Sequence, residues 1–287
     1  MEKIFEVRNL AYTYTKNNIK AIDGISFDVH QGEIFGLLGP SGAGKSTTQK
    51  LLIRLLEHYE GSIIYKGRDL KNYSNEFYED IGVGFELPVH FSKLSAMENM
   101  KFFARLYSSS APIEPLLKSV GLFEDKDRLV STFSKGMKVR LNFVRAMLNN
   151  PNILFLDEAT NGLDPKNARI LKEQIRAFKN SGGTVILSTH LMSDVEELCD
   201  RVAFISEGKI KEISTVRELK QRYGRRELNI EYTLGGTLKN EVFSLEGIGE
   251  NEAFHTILKN YPIESLHSGE TSLDEIFIKV TGDTTDA

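Results

Sequence analysis

Short apolar runs alternate along the chain with stretches whose apolar residues recur every three or four positions, and this alternation predicts a layered α/β fold with a largely parallel sheet. Ile4–Val7 and Ile25–Val29 read as strands around a polar turn. Glu33–Leu38 reads as an apolar strand running straight into a glycine-rich turn. Lys45–Leu56 reads as the helix that follows, with Leu51, Leu52, Leu55 and Leu56 at helical spacing.

From about 87 to 150 the pattern becomes mostly helical. Ser95 with Glu98 three positions later predicts a capping box that opens a helix through about Tyr107. Ile113–Val120 reads as a second helix closed by Gly121. Ser134 is placed to cap a third, which runs to about Asn149 before Pro151 blocks it. The sheet resumes at Asn152–Leu156, a buried strand. Asp164-Pro165 is a good helix start, and Gly182-Gly183 ends that helix. Thr184–Ser188 reads as a strand, Ser193 with Glu196 as a second capping box, and Val202–Ser206 with Lys209–Ile213 as a hairpin about Glu207-Gly208.

Charge divides the chain. Residues 226–287 hold 4 basic and 12 acidic side chains, whereas residues 1–225 carry a net +4. The shift predicts a main domain over 1–225 and a small acidic accessory domain over 226–287. The whole chain has 287 residues and a net charge of −4, which argues against a nucleic-acid partner. Its one cysteine, Cys199, excludes an internal disulfide and suits a reducing cytosol; its setting predicts a small buried hydrophobe. The first twenty residues lack a signal-peptide apolar core, and no apolar run approaches the ~20 residues that span a bilayer. Any membrane role is therefore expected to come from a partner.

Two motifs carry chemistry. Gly39-Pro40-Ser41-Gly42-Ala43-Gly44-Lys45-Ser46-Thr47 matches GxxxxGK[ST] between a predicted strand and a predicted helix. Glycines let backbone N–H groups curl around phosphate oxygens, and the helix offers its positive N-terminus. Lys45 is then expected to reach the β- and γ-phosphates of ATP, and the Ser46 hydroxyl to ligate Mg2+. The second motif, Ile153-Leu154-Phe155-Leu156-Asp157-Glu158, ends a buried strand in two carboxylates. Its strand would deliver Asp157 to the magnesium shell at the carboxyl end of the sheet. Glu158, one residue on, is placed to orient or deprotonate the attacking water.

About twenty residues before that carboxylate pair, Phe133-Ser134-Lys135-Gly136-Met137 resembles the signature of ABC ATPases in an exporter-like variant. Asn161-Gly162-Leu163-Asp164 resembles the D-loop of the family, Ser188-Thr189-His190 its switch loop, and Tyr14 its adenine-stacking aromatic. The resemblance covers about residues 3–222. It implies a P-loop ATPase core with a helical subdomain at about 87–150, in a subunit that hydrolyses ATP to power export through a separate membrane-spanning permease. Such a subunit sits at the cytoplasmic face of the membrane and works as a head-to-tail dimer with two ATP molecules between the copies. The resemblance further implies that Ser134, Lys135, Gly136, Met137 and Asp164 complete the pocket of the second copy, and that His190 bonds the γ-phosphate. Ser134 at a helix start, with Gly136 permitting close approach, is also a sound anion site on chemistry alone. Tyr12 rivals Tyr14, though spacing from Leu10 favours Tyr14.

One position departs from the family pattern. Glu86 stands where the family has a glutamine that contacts magnesium, and reads either as a hard oxygen ligand or as a loop glutamate. Ser272–Gly282 and Phe85-Glu86-Leu87-Pro88 resemble stretches of drug exporters, including fluoroquinolone exporters. A soluble ABC protein acting on DNA or ribosomes would be expected to carry a coiled-coil insertion, tandem cores or a basic face. A small-molecule kinase would have no need of Ser134-Lys135-Gly136-Met137.

Overall fold

Ile153-Leu154-Phe155-Leu156 has no polar side to turn to water, so the strand it forms needs cover on both faces. A computed structural model, which describes residues 2–15, 18–87, 89–269 and 271–282, supplies that cover. The backbone divides into a unit spanning Met1–Val216 and a second spanning Arg217–Thr284. In chain order the first contains β1 (Lys3–Tyr14), β2 (Ile19–His30), β3 (Ile34–Leu38), α1 (Lys45–Leu52), β4 (Glu60–Tyr65), β5 (Arg68–Asp69), α2 (Glu76–Asp80), β6 (Ile81–Gly84) and α3 (Ala96–Ala104). It continues with α4 (Ile113–Ser119), α5 (Lys135–Ala146), β7 (Ile153–Asp157), α6 (Pro165–Asn180), β8 (Thr184–Thr189), α7 (Met192–Leu198), β9 (Arg201–Ser206) and β10 (Lys209–Thr215).

The central sheet has the order β10-β9-β3-β8-β7-β6. Every neighbouring pair is parallel except the β9–β10 hairpin, as the alternating pattern predicts. Ile153 and Phe155 pack on one face with Ile186; Leu154 and Leu156 pack on the other with Val185 and Leu187. The first face is covered by α1 and by the antiparallel sheet β2-β1-β4-β5, where the Phe5 ring lies 4.9 Å from Tyr65 and 5.9 Å from Phe155. Helices cover the second face through Met100 of α3, Leu117 of α4, Leu141 and Val144 of α5, and Leu171 and Ile175 of α6. Because β3 lies between β8 and β9, the turn that follows it opens at the carboxyl ends of the parallel strands. Ligands bind there in α/β sheets.

Several element ends differ from expectation, each for a local reason. β1 and β2 run for 12 residues each, well beyond Ile4–Val7 and Ile25–Val29. The register shifts between Val7 and Leu10, where Asn9 takes φ 48°, so the buried positions change parity and the strand loses its period of two. α1 stops at Leu52 rather than Leu56, since Arg54 at φ 58° cannot continue a helix. α5 stops at Ala146 rather than Asn149, and the Asn149 amide donates to the carbonyls of Tyr78, Glu79 and Ile81.

The capping box at Ser95 and Glu98 forms as predicted, with bonds of 3.2 and 2.7 Å. The second box, at Ser193 and Glu196, does not form. α7 begins two residues earlier, with Leu191 as its N-cap, and the Thr189 hydroxyl accepts from the Leu191 N–H at 3.0 Å. No helix among the described residues is long and apolar enough to cross a membrane. Pro88 of the exporter-like stretch lies outside the described residues.

The second unit contains all but the first residue of α8 (Val216–Tyr223), then β11 (Glu227–Leu234), β12 (Thr237–Ser244), α9 (Glu252–Asn260), β13 (Ile263–Gly269) and α10 (Leu273–Thr281). Its antiparallel sheet has the order β12-β11-β13. Ile230, Tyr232 and Phe243 of that sheet pack against Phe254 and Ile257 of α9.

Candidate functional site

The turn between β3 and α1 can be made only with glycine at its tight points. A Cβ on Gly39 would lie 2.0 Å from the Ile205 carbonyl oxygen; Gly44 stands at φ 109°, where a Cβ would come within 2.7 Å of the Ala21 carbonyl oxygen. Gly42, at φ 81°, turns the loop between them. This path folds Lys45 back under the loop, where its Nζ donates to the carbonyls of Gly39 at 2.6 Å and Pro40 at 3.1 Å. Burial pushes the Lys45 ammonium below its ordinary range, although Glu158 and Asp157 beside it pull the other way. The lysine is thus desolvated and aimed at a site made for negative charge.

At the end of β7, Asp157 Oδ1 accepts from the Ser46 hydroxyl at 3.1 Å and from the Ser188 hydroxyl of β8. Glu158 follows in the left-handed region, φ 50°, held by its N–H to the Ser188 carbonyl at 2.9 Å. For a non-glycine residue this costs roughly 1–3 kcal/mol and persists only where the surroundings enforce it. Its carboxylate reaches His190 Nδ1 at 2.8 Å and lies 3.7 Å from Lys45 Nζ.

Lys45, Ser46 and Thr47 share a cleft of about 270 Å³ with Glu86, Glu158, Asn161 and His190. Tyr14 stands over the start of α1, its hydroxyl 3.2 Å from Thr47 Oγ1, while Tyr12 packs against the core. Among the described residues no group of three or more His, Cys, Asp or Glu side chains forms a metal cage. The oxygens of Ser46 and Asp157 nevertheless converge, which fits a hard cation that keeps waters and takes its remaining ligands from phosphates.

Ser134, Lys135, Gly136, Met137 and Asp164 do not line this cleft. They meet one another instead. Ser134 caps α5 by accepting from the Met137 N–H at 3.2 Å, and Asp164 caps α6 by accepting from the Asn167 N–H at 3.1 Å. A Cβ on Gly136 would fall 3.0 Å from Asn167 Nδ2, so the two helix starts lie side by side. Hydrogen bonds from Asn167 hold the Asp164 carboxyl below the usual carboxylate range. Sequence reasoning passed over Gln49, a buried residue whose amide donates to the carbonyls of Leu156 at 2.9 Å and Ile186 at 3.3 Å. A polar residue four positions after Lys45, on the same helix face as the loop anchor, was the available signal. It also missed the hydroxyl of Ser188 as a partner of Asp157.

Comparison with known proteins agrees with this geometry. The profile of the ABC transporter family matches residues 22–161, and that of the fluoroquinolone efflux ABC transporter C-terminal domain matches residues 226–270. A fluoroquinolones export ATP-binding protein of Mycobacterium tuberculosis is 47% identical over 282 residues, covering 98% of this chain and 94% of the relative. A lantibiotic transport ATP-binding protein of Streptococcus pyogenes is 40% identical over 208 residues, covering 72% of this chain and 89% of the relative. A solved ATP-binding subunit of an ABC transporter superposes with a TM-score of 0.69 at 30% identity, over 77% of this chain and 93% of that one. The chain belongs to the ATP-binding subunits of ABC transporters, the ATP-hydrolysing family that powers transport.

Proposed function

We propose that this subunit drives export of a drug-like cargo through a separate membrane-spanning permease, working at the cytoplasmic face of the membrane as an ATP-sandwich dimer. The observation that supports this reading is that the phosphate loop and the Ser134 helix start, both suited to anions, lie in different places on one chain. Phosphate-loop residues, Lys45 and Glu158 line one cleft, with Asp157 joined to it through the Ser46 hydroxyl at 3.1 Å, while the Ser134 helix start stands outside it. A head-to-tail second copy would bring Ser134–Met137 and Asp164 onto the nucleotide. The names of the M. tuberculosis relative and of the matched C-terminal profile support a fluoroquinolone-like cargo. In this reading residues 1–225, with a helical subdomain at about 87–150, form the ATPase domain, and residues 226–287 form the accessory domain.

Within the cleft, Lys45 and the loop N–H groups bind the β- and γ-phosphates, and Tyr14 stacks on adenine. Glu158 takes the proton of the attacking water, and His190, 2.8 Å from that carboxylate, bonds the γ-phosphate. Ser46 and Asp157 would hold Mg2+, with Glu86 beside them; bound there, the ion neutralises charge on the phosphates. Slow hydrolysis should let ATP join two chains, with a contact on the ordinary scale of roughly 1,600 Å². On size exclusion, Glu158→Gln with ATP and magnesium is expected to run as a dimer. Addition of Ser134→Arg should return it to monomer. A monomer under every condition would remove the sandwich.

Glu86→Gln tests the role of Glu86 separately. If Glu86 holds the ion, magnesium for half-maximal turnover rises severalfold, and ATP without metal binds at least as well. Superimposed curves of rate against free magnesium would return Glu86 to a loop glutamate.

A further inference from the structure

Beside the cleft lies a buried ionic cluster that the chemistry above does not use. Thr160, Lys172 and Asp194 are 5%, 9% and 3% exposed. Asp194 Oδ2 accepts from the Thr160 hydroxyl, and Asp194 Oδ1 accepts from Lys172 Nζ at 2.8 Å. Lys172 also reaches Glu197 at 2.6 Å, and Glu197 in turn holds Arg176 at 2.7 Å. Burial alone would lower Lys172, but Asp194 and Glu197 outweigh it and raise the ammonium above its ordinary range. The charge is therefore paired on both sides.

Such a cluster gives little net stability, because burying an ion pair costs about what the pairing returns, and apolar residues of similar volume often serve as well. Its placement suggests another use. Thr160 lies two residues after Glu158, in the turn closed by the Asn161 N–H to the Glu158 carbonyl at 3.1 Å. Asp194 lies four residues after His190, in the first turn of α7. Lys172 comes from the middle of α6, which continues the same turn. A single carboxylate thus ties the backbone that carries Glu158, in its strained left-handed conformation, to the helix that follows His190.

We propose that Asp194, acting through Thr160, is a positioning residue that holds Glu158 and His190 in their mutual geometry for ATP hydrolysis. The inference rests on the assignment of Glu158 as the base. It does not require either cluster residue to touch nucleotide. Its effect should fall on the chemical step and leave ATP binding alone, since the phosphate loop lies on other elements.

The test compares Thr160→Val, Thr160→Ser, Glu158→Gln and the Thr160→Val/Glu158→Gln double variant in the full chain. Rates are expressed per nucleotide-binding site, so loss of folded protein does not enter. Thr160→Val keeps the shape and removes one charge-assisted hydrogen bond, so kcat is expected to fall about tenfold with KM for ATP unchanged. Thr160→Ser, which restores the hydroxyl, should return near the parent rate. Added to Glu158→Gln, the valine should change little further, because Thr160 braces the turn that carries the Glu158 carboxylate, and without that carboxylate the mutual geometry of Glu158 and His190 no longer serves the step. Parent kcat in Thr160→Val overturns the proposal. So does a loss that serine fails to rescue, or one that adds in full to Glu158→Gln. Glu158→Gln alone turning over at the parent rate overturns the base assignment instead, and the positioning role with it.

Discussion

Glu158→Gln is expected to hydrolyse ATP about 10²–10⁴-fold more slowly than the parent while still binding it, the range typical of a lost general base. The glutamine keeps the size of the side chain, so the left-handed turn at 158 and the neighbouring Asp157 oxygen on Ser46 stay in place. What disappears is the carboxylate that His190 Nδ1 meets at 2.8 Å and that lies 3.7 Å from Lys45. Single-turnover hydrolysis and a nucleotide titration, run side by side, separate the two effects. Turnover within about threefold of the parent would show that the proton goes elsewhere, given the general-base factor expected.

Lys45→Ala has the opposite signature. It removes the one buried cation of the phosphate loop, so ATP affinity should fall about tenfold to a hundredfold, the worth of a hydrogen bond to a charged group. The alanine also leaves the carbonyls of Gly39 and Pro40 without their donor and the Glu158 carboxylate without its neighbouring charge. Isothermal titration with ATP measures the loss directly. An unchanged Kd in a protein of unchanged melting temperature would exclude Lys45 as a phosphate ligand.

Legibility followed the distance over which each feature is built. The phosphate loop was readable because its requirements are local: glycines at tight points and a lysine at a helix start, all within nine residues. The strand ending in Asp157-Glu158 was readable because burial on both faces forces a continuous apolar run. Helix ends were less readable. At Arg54, just past the end of α1, a single residue with positive φ forbids further helix, and nothing in the apolar spacing before it announces the change. The β1 bulge at Asn9 broke the period of two and hid half the strand. At Ser193 a capping pattern was present but lost to Thr189, whose hydroxyl takes the turn first. Asp164 reads as a residue of the second copy's nucleotide pocket, and within its own chain it caps α6 through Asn167, whose amide lies beside Gly136 of α5. The Thr160–Lys172–Asp194 cluster joins three elements far apart in sequence, and spacing carries no trace of it.

The loop's own route has a further consequence, for transplantation. Gly39 passes so close to the Ile205 carbonyl, and Gly44 so close to that of Ala21, that β9 and β2 act as the mould in which the nine-residue motif is cast. A copy of Gly39–Thr47 grafted between a strand and a helix of another scaffold would carry its glycines and its lysine but not that mould. Anyone borrowing the motif must borrow the neighbouring strands as well, because the path of the loop is set by backbone outside the motif.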